Sequence, residues 1–268
     1  MDFLSLFSYS FVVNAYLAGL CIGMLSGMLG LLLVLRGKSL IGDGLAHVSF
    51  GAIALGMVFG VYPFYIAVPV VVLASFGILM LSGKATLFGD AAIGIVSATG
   101  VAGGVLLASL AQGFNVDLFS YLFGNILAVS QTEIILAATL SLIVAILILL
   151  NYHTFFLTTF DESLAKASGV NTTLTEGLLM ALTGVVVVLA IKAVGVMLVS
   201  ALLIIPAVTA LQFAKSFGSA MVFSAILAIF TITLGITLSF FADIPAGATI
   251  VLLSVFFFLL SLVWKRVR

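Results

Sequence analysis

From Gly44 to Gly83 the chain carries no Asp, Glu, Lys or Arg. No other feature narrows the choice of fold as much. A water-facing domain needs roughly a quarter of its residues charged, and here 7% are charged against 64% hydrophobic. These groups are too few to cover a solvated surface, so the apolar runs must face lipid or one another.

A helix crossing about 30 Å of hydrocarbon uses roughly 20 apolar residues. Windows of that length, almost free of charge, run near 11–35, 41–60, 63–83, 91–112, 131–151, 174–191, 193–213, 218–241 and 247–264. They predict an all-α polytopic bundle of about nine spans, with residues 1–268 forming one transmembrane domain. The cut near Lys192 and Gly195 is the weakest, and merging there gives eight spans. Basic residues at 36, 38, 84, 166, 215, 265, 266 and 268 share one side if nine spans end in an inner C-terminus, as the positive-inside rule requires. Lys192 is the exception, at an outer turn, and Asp117 or Asp243 are its candidate partners.

Gly19, Gly23, Gly27 and Gly30 form a small-residue ladder. Lipid gives helices no hydrophobic reason to associate, so such faces act by allowing close backbone contact. The single cysteine, Cys21, offers neither a disulfide framework nor a thiolate metal cage. No P-loop, HExxH, CxxC or GxSxG pattern occurs, which excludes nucleotide binding and hydrolysis by those routes.

The outer stretch VDLFSYLFGNILAVS, 116–130, is too short to cross and too apolar for a free loop. It predicts an interfacial helix with Tyr121 and its Phe residues at headgroup depth. The longest polar interval is inner, from Asn151 to Thr175. There Thr159 and Glu162 have capping-box spacing and Gly169 stands where a helix terminates. A capped helix of about two and a half turns on a cytoplasmic loop reads as a docking handle, in a segment of about 155–173.

Asp43 and His47 are four apart, on one face of a helix. Ionisable groups near membrane depth face an interior or a wet cavity, and Zn²⁺, Mn²⁺ and Fe²⁺ all accept a carboxylate with an imidazole. The spacing also fits a helix-start cap with His47 bonded to Asp43. His153, the only other histidine, sits at a span boundary. Asp117 and Asp243 stand at outer turns, as hydrated carboxylates or as a mouth that attracts cations. Pro206 and Thr209, in LLIIPAVTA, predict a bent helix.

The segments GDGLAHVSFGAIALG, VDLFSYLFGNILAV, TTFDESLAKASGV, IKAVGVMLVSALLIIPAVTA and DIPAGATIVLL together resemble the permease subunits of zinc and manganese ABC importers. They occur in that family's order and spread over most of the chain. The resemblance implies a homodimer in a prokaryotic-type inner (plasma) membrane, similar in fold to vitamin B12-type importers. It implies two ATP-binding ATPase subunits on the cytoplasmic side and an external metal-binding solute-binding protein. Such a subunit is not an enzyme and holds no tight cofactor; its cargo is Zn²⁺ or Mn²⁺. By resemblance, DESLAKASG at 161–169 is the coupling helix, with Asp161, Glu162, Ala165 and Gly169 toward the ATPase, and Asp43 and His47 contact the ion. Asn125 departs from the family, which often has Asp there. Asp43–His47 and the DIPAG turn are closer to the zinc branch than to the manganese branch. The alternative reading, a proton-coupled secondary metal transporter, needs several mid-span carboxylates as relays.

Overall fold

The computed structural model describes residues 9–83, 89–110 and 116–267, and these are helical with short connections. In chain order the helices are α1 (Ser10–Leu35), α2 (Leu40–Val58), α3 (Pro63–Gly83), α4 (Gly89–Leu110), α5 (Val116–Phe123), α6 (Gln131–Leu150), α7 (Tyr152–Phe160), α8 (Glu162–Ala167), α9 (Thr172–Val194), α10 (Val199–Leu211), α11 (Phe217–Ala242) and α12 (Ala246–Val267). A single 3-10 turn, Ile126–Ala128, follows α5. Among the described residues, eight helices are long and apolar enough to cross a membrane. They are α1–α4, α6, α9, α11 and α12.

The ninth expected span is present in shortened form. α10 has 13 residues, a rise of about 20 Å, less than the hydrocarbon core. Its window opens instead with non-helical backbone at Gly195–Leu198. Gly195 has φ +82°, and a Cβ there would lie 2.5 Å from the backbone N of Gly124. Irregular backbone at this depth persists only where protein covers it. Here α5 does so, with the Val196 N–H donating to the Tyr121 carbonyl at 3.1 Å. α10 runs through Pro206 as one continuous helix, and the Thr209 hydroxyl donates to the Ile205 carbonyl at 2.7 Å.

α1 packs along α11 and α10, α2 along α4 and α3, and α9 lies against α3, α1 and α2 as the most enclosed span. The glycine ladder makes the first of these contacts. A Cβ on Gly27 would sit 2.5 Å from the Cα of Ala225, and one on Gly30 would strike the Leu203 carbonyl. The Ser224 hydroxyl also donates to the Gly27 carbonyl at 2.7 Å. This is the small-face packing expected where van der Waals contact replaces the hydrophobic effect.

Two expectations fail locally. Tyr121 is 5% exposed, packed against Phe64 and beneath the Lys192 ammonium at 4.7 Å. It serves the core and not the headgroups. The 151–175 interval holds two helices, α7 and α8, and not one. Thr159 lies inside α7 and makes no capping box. Asp161 is the cap instead, its carboxylate accepting from the Leu164 N–H at 2.8 Å. α8 is therefore six residues long, shorter than its expected two and a half turns.

Candidate functional site

Asp43 falls in the first turn of α2 and His47 one turn on. Ser39, not Asp43, is the N-cap residue of α2, and its side chain makes no capping bond. The helix-cap reading of Asp43 is therefore wrong. Its carboxylate points across to another helix, where the Ser200 hydroxyl in the first turn of α10 donates to Asp43 Oδ1 at 3.3 Å. His47 Nε2 lies 3.6 Å from Asp43 Oδ2, too far for a hydrogen bond of normal geometry. Both side chains are partly open, Asp43 46% and His47 31% exposed.

The position of Ser200 depends on distant residues. The irregular Gly195–Leu198 segment sets where α10 starts, and the close approach of Gly30 to Leu203 sets how deeply it lies against α1. Sequence reasoning missed Ser200, though a signal existed: it is the only hydroxyl residue between Lys192 and Thr209. Among the described residues, no three His, Cys, Asp or Glu side chains come together as a metal cluster. One chain thus offers a carboxylate, an imidazole and a hydroxyl, which leaves the remaining coordination positions open.

The other sequence-predicted positions lie elsewhere. Asp243 is exposed and forms the left-handed end of α11 at φ 52°. Asp117 falls on α5 and its side chain lies outside the described residues. His153 is exposed on α7, edge-on to Tyr152. Among the described side chains, Lys192 pairs not with Asp243 but with Glu133 of α6 at 3.1 Å. The pair is buried, with Lys192 13% and Glu133 8% exposed. Glu133 also closes a capping box with Ser130, an S-x-x-E spacing that is visible in the sequence. Tyr62, in the α2–α3 turn, lies beside this pair. Burial first, and then the Glu133 charge, push its hydroxyl well above the ordinary tyrosine range.

At the end of the bundle that the basic residues predict to be inner, α8 presents Asp161, Glu162, Leu164 and Lys166 outward, with Leu164 52% exposed. Ala165 is fully buried against the chain itself. Gly169 takes φ +83°, and the Val170 N–H returns to the Ala165 carbonyl at 3.0 Å. This is the glycine-terminated helix end expected from the sequence. Glu162 bonds Lys166 at 2.7 Å, and this hydrogen bond and charge hold its carboxyl below the usual range.

A bundle of long apolar helices, with a buried ion pair at one end and a half-open polar pair near the other, defines a multi-pass membrane protein. Residues 8–265 match the ABC 3 transport family, and the chain belongs to that family. It is 35% identical over 256 residues to the manganese import system permease protein ScaB of Streptococcus gordonii, covering 96% of this chain and 92% of that one. It is 31% identical over 260 residues to the high-affinity zinc uptake system membrane protein ZnuB of Haemophilus influenzae, covering 97% and 99%. Among solved structures, PsaBC from Streptococcus pneumoniae in complex with Fab superposes with a TM-score of 0.88 at 35% identity, covering 96% of this chain and 92% of that one.

Proposed function

We propose that this chain is the permease subunit of an ATP-driven importer of a divalent transition-metal cation, with Asp43 and His47 as its transient metal contacts. The observation that carries the reading is the Asp43–His47 pair itself. Two potential ligands share a helix face, 3.6 Å apart, half open and unsaturated, in a bundle otherwise poor in charge. Ser200 orients the carboxylate by occupying one oxygen. An incomplete ligand set suits passage, since an ion held too tightly would not leave.

The remaining coordination comes from a second copy of the chain and from water, with the ion passing between the two subunits. An external solute-binding protein delivers it, and Asp243 and Asp117 attract the cation toward the outer mouth. Two ATPase subunits act from the inner face. α8 is the coupling helix, and Asp161, Glu162, Leu164 and the Gly169 turn form its outward surface. Ala165 anchors that helix from beneath, in place of the direct ATPase contact that its sequence position suggested. ATP binding and hydrolysis bias two arrangements of the spans through differential contacts at α8. Zinc is the preferred ion, on the Asp43–His47 pair and the DIPAG turn. The proton-coupled alternative finds little support among the described residues. Asp90 lies in the first turn of α4, Glu176 is paired with Lys38, and Glu133 is occupied by Lys192.

The test is reconstitution of the chain with its co-purifying ATPase in vesicles, followed by competition between Zn²⁺ and Mn²⁺ uptake. Asp43→Asn combined with His47→Ala is expected to lower uptake at least about tenfold, the scale of losing charge-assisted contacts, with ATP hydrolysis retained. Uptake that persists with hydrolysis blocked refutes the ATP-driven reading. Full uptake by the double variant refutes the site.

A further inference from the structure

The turn between α1 and α2 carries two cations, and both reach toward the elements that flank α8. Arg36 ends α1, and its Nη2 donates to the Thr158 carbonyl in the last turn of α7 at 3.2 Å. Lys38 forms an ion pair with Glu176 in the first stretch of α9. α8 packs mainly on these same two helices, and the Thr172 hydroxyl that opens α9 donates to Glu162 of α8 at 3.4 Å. Each neighbour of α8 therefore has a charged attachment to one short turn.

That turn is tightly bonded to the helices on either side of it. The Lys38 N–H donates to the Leu33 carbonyl at 2.8 Å, and the Ile41 N–H to the Lys38 carbonyl at 3.2 Å. Gly37, at φ +66°, makes the reversal possible. Asp43 is five residues beyond Lys38 on the helix this turn begins. Stability does not account for the arrangement. Half-exposed ion pairs contribute only about 0–1 kcal/mol, and the Lys38–Glu176 pair is 31% and 23% exposed. Arg36 Nη1 is buried with no hydrogen-bond partner, a cost the fold leaves uncompensated. Burial draws the Arg36 guanidinium down from its ordinary value, against the opposing charges of Glu176 and Glu162.

We infer that Arg36 and Lys38 are positioning residues forming a rigid latch that carries displacement of α8 to the α2 turn bearing Asp43. The inference rests on the coupling role proposed for α8. When α8 moves, the end of α7 pulls on Arg36 and the start of α9 pulls on Lys38 through Glu176. Both pulls converge on the turn, and α2 shifts with it. Side-chain contacts of this kind transmit motion only if they hold through the cycle, so the latch moves as one unit.

The test uses the full transporter in vesicles, with ions taken up per ATP hydrolysed as the readout. Lys38→Glu and Glu176→Lys are each expected to lower that ratio about tenfold, a typical coupling magnitude, while the ATPase stays bound and active. The doubly exchanged chain, with both substitutions, is expected to recover most of it. Single variants with an unchanged ratio, or an exchanged pair that recovers nothing, overturn the latch. A second arm does not depend on the charge variants folding. In a Cys21→Ala background, Lys38→Cys and Glu176→Cys are joined by a short bismaleimide. Uptake that survives cross-linking fits a rigid unit, and uptake abolished by it shows that the contact must open and overturns the latch. Failure of any ATPase to co-purify with the unaltered chain refutes the coupling reading itself, before the latch is tested.

Discussion

The two ends of the bundle, named outer and inner after the orientation that the basic residues predict, treat charge in opposite ways. At the outer end, Glu133 and Lys192 are largely buried and paired with each other. The carboxylate caps α6 through Ser130, the ammonium lies over Tyr121, and the Lys192 carbonyl accepts from the Asn125 N–H at 3.0 Å. At the inner end, Arg36, Lys38, Glu176, Glu162, Lys166 and, slightly deeper, Asp43 and His47 are all at least partly exposed. A buried pair loses much solvation and persists only when every group is satisfied, so it holds one arrangement. Exposed pairs gain little and lose little, so they can change partners or move together at small cost. The outer charges thus pin α5, α6 and the start of the irregular 195–198 segment, and the inner charges stay available for moving parts and for an ion.

The sharpest way to break this contrast is to remove one member of each pair. Lys192→Met leaves Glu133 buried and unpaired and is expected to cost about 3–5 kcal/mol, seen as a large drop in the thermal unfolding midpoint in detergent. Combining it with Glu133→Leu is expected to restore most of the loss, since a matched apolar pair needs no solvation. A small effect from the single variant means the outer pair is not closed. Lys38→Met at the inner end is expected to change stability by less than about 1 kcal/mol in the same measurement. A loss comparable to that of Lys192→Met erases the distinction between the two ends.

The smallest effect is a pH dependence local to α8. The folded-state pKa of Glu162 is depressed, first by the Lys166 hydrogen bond and charge. Its contribution is therefore present above the ordinary glutamate range of about 4.3 and is lost as pH falls through the depressed folded value. Thermal unfolding compared between the native chain and Glu162→Gln is expected to converge below that range and to separate slightly above it. The difference shrinks with added salt, because the pair is exposed. A separation that widens on acidification reverses the sign and rejects the Glu162–Lys166 assignment.

Local rules made several elements readable from the residues alone. Pro63 opens α3 where the third apolar window begins, Gly169 ends α8, and Gly19 to Gly30 pack against neighbouring helices. Each depends on residues within a turn or two. Glu133 and Lys192 are 59 positions apart, and Asp43 and Ser200 are separated by 157. Neither pairing has a periodic trace, since a span's hydrophobic pattern states that it is buried and not which helix it meets. The failed capping box at Thr159 shows the same limit at short range. α7 extends through Thr159, and Asp161 caps α8 in its place.

By itself the sequence determined that this chain enters a membrane as helices, roughly where those helices run, and which few polar residues had to have a purpose. Lipid cannot hydrogen-bond the backbone or solvate charge, so composition and spacing suffice for that much. Only the tertiary structure decided the partners: Lys192 sealed against Glu133, Ser200 turned onto Asp43, and the α1–α2 turn tied to both neighbours of α8. Those contacts arise where helices distant in sequence cross, and the crossing is set by packing of many small faces at once rather than by any local pattern.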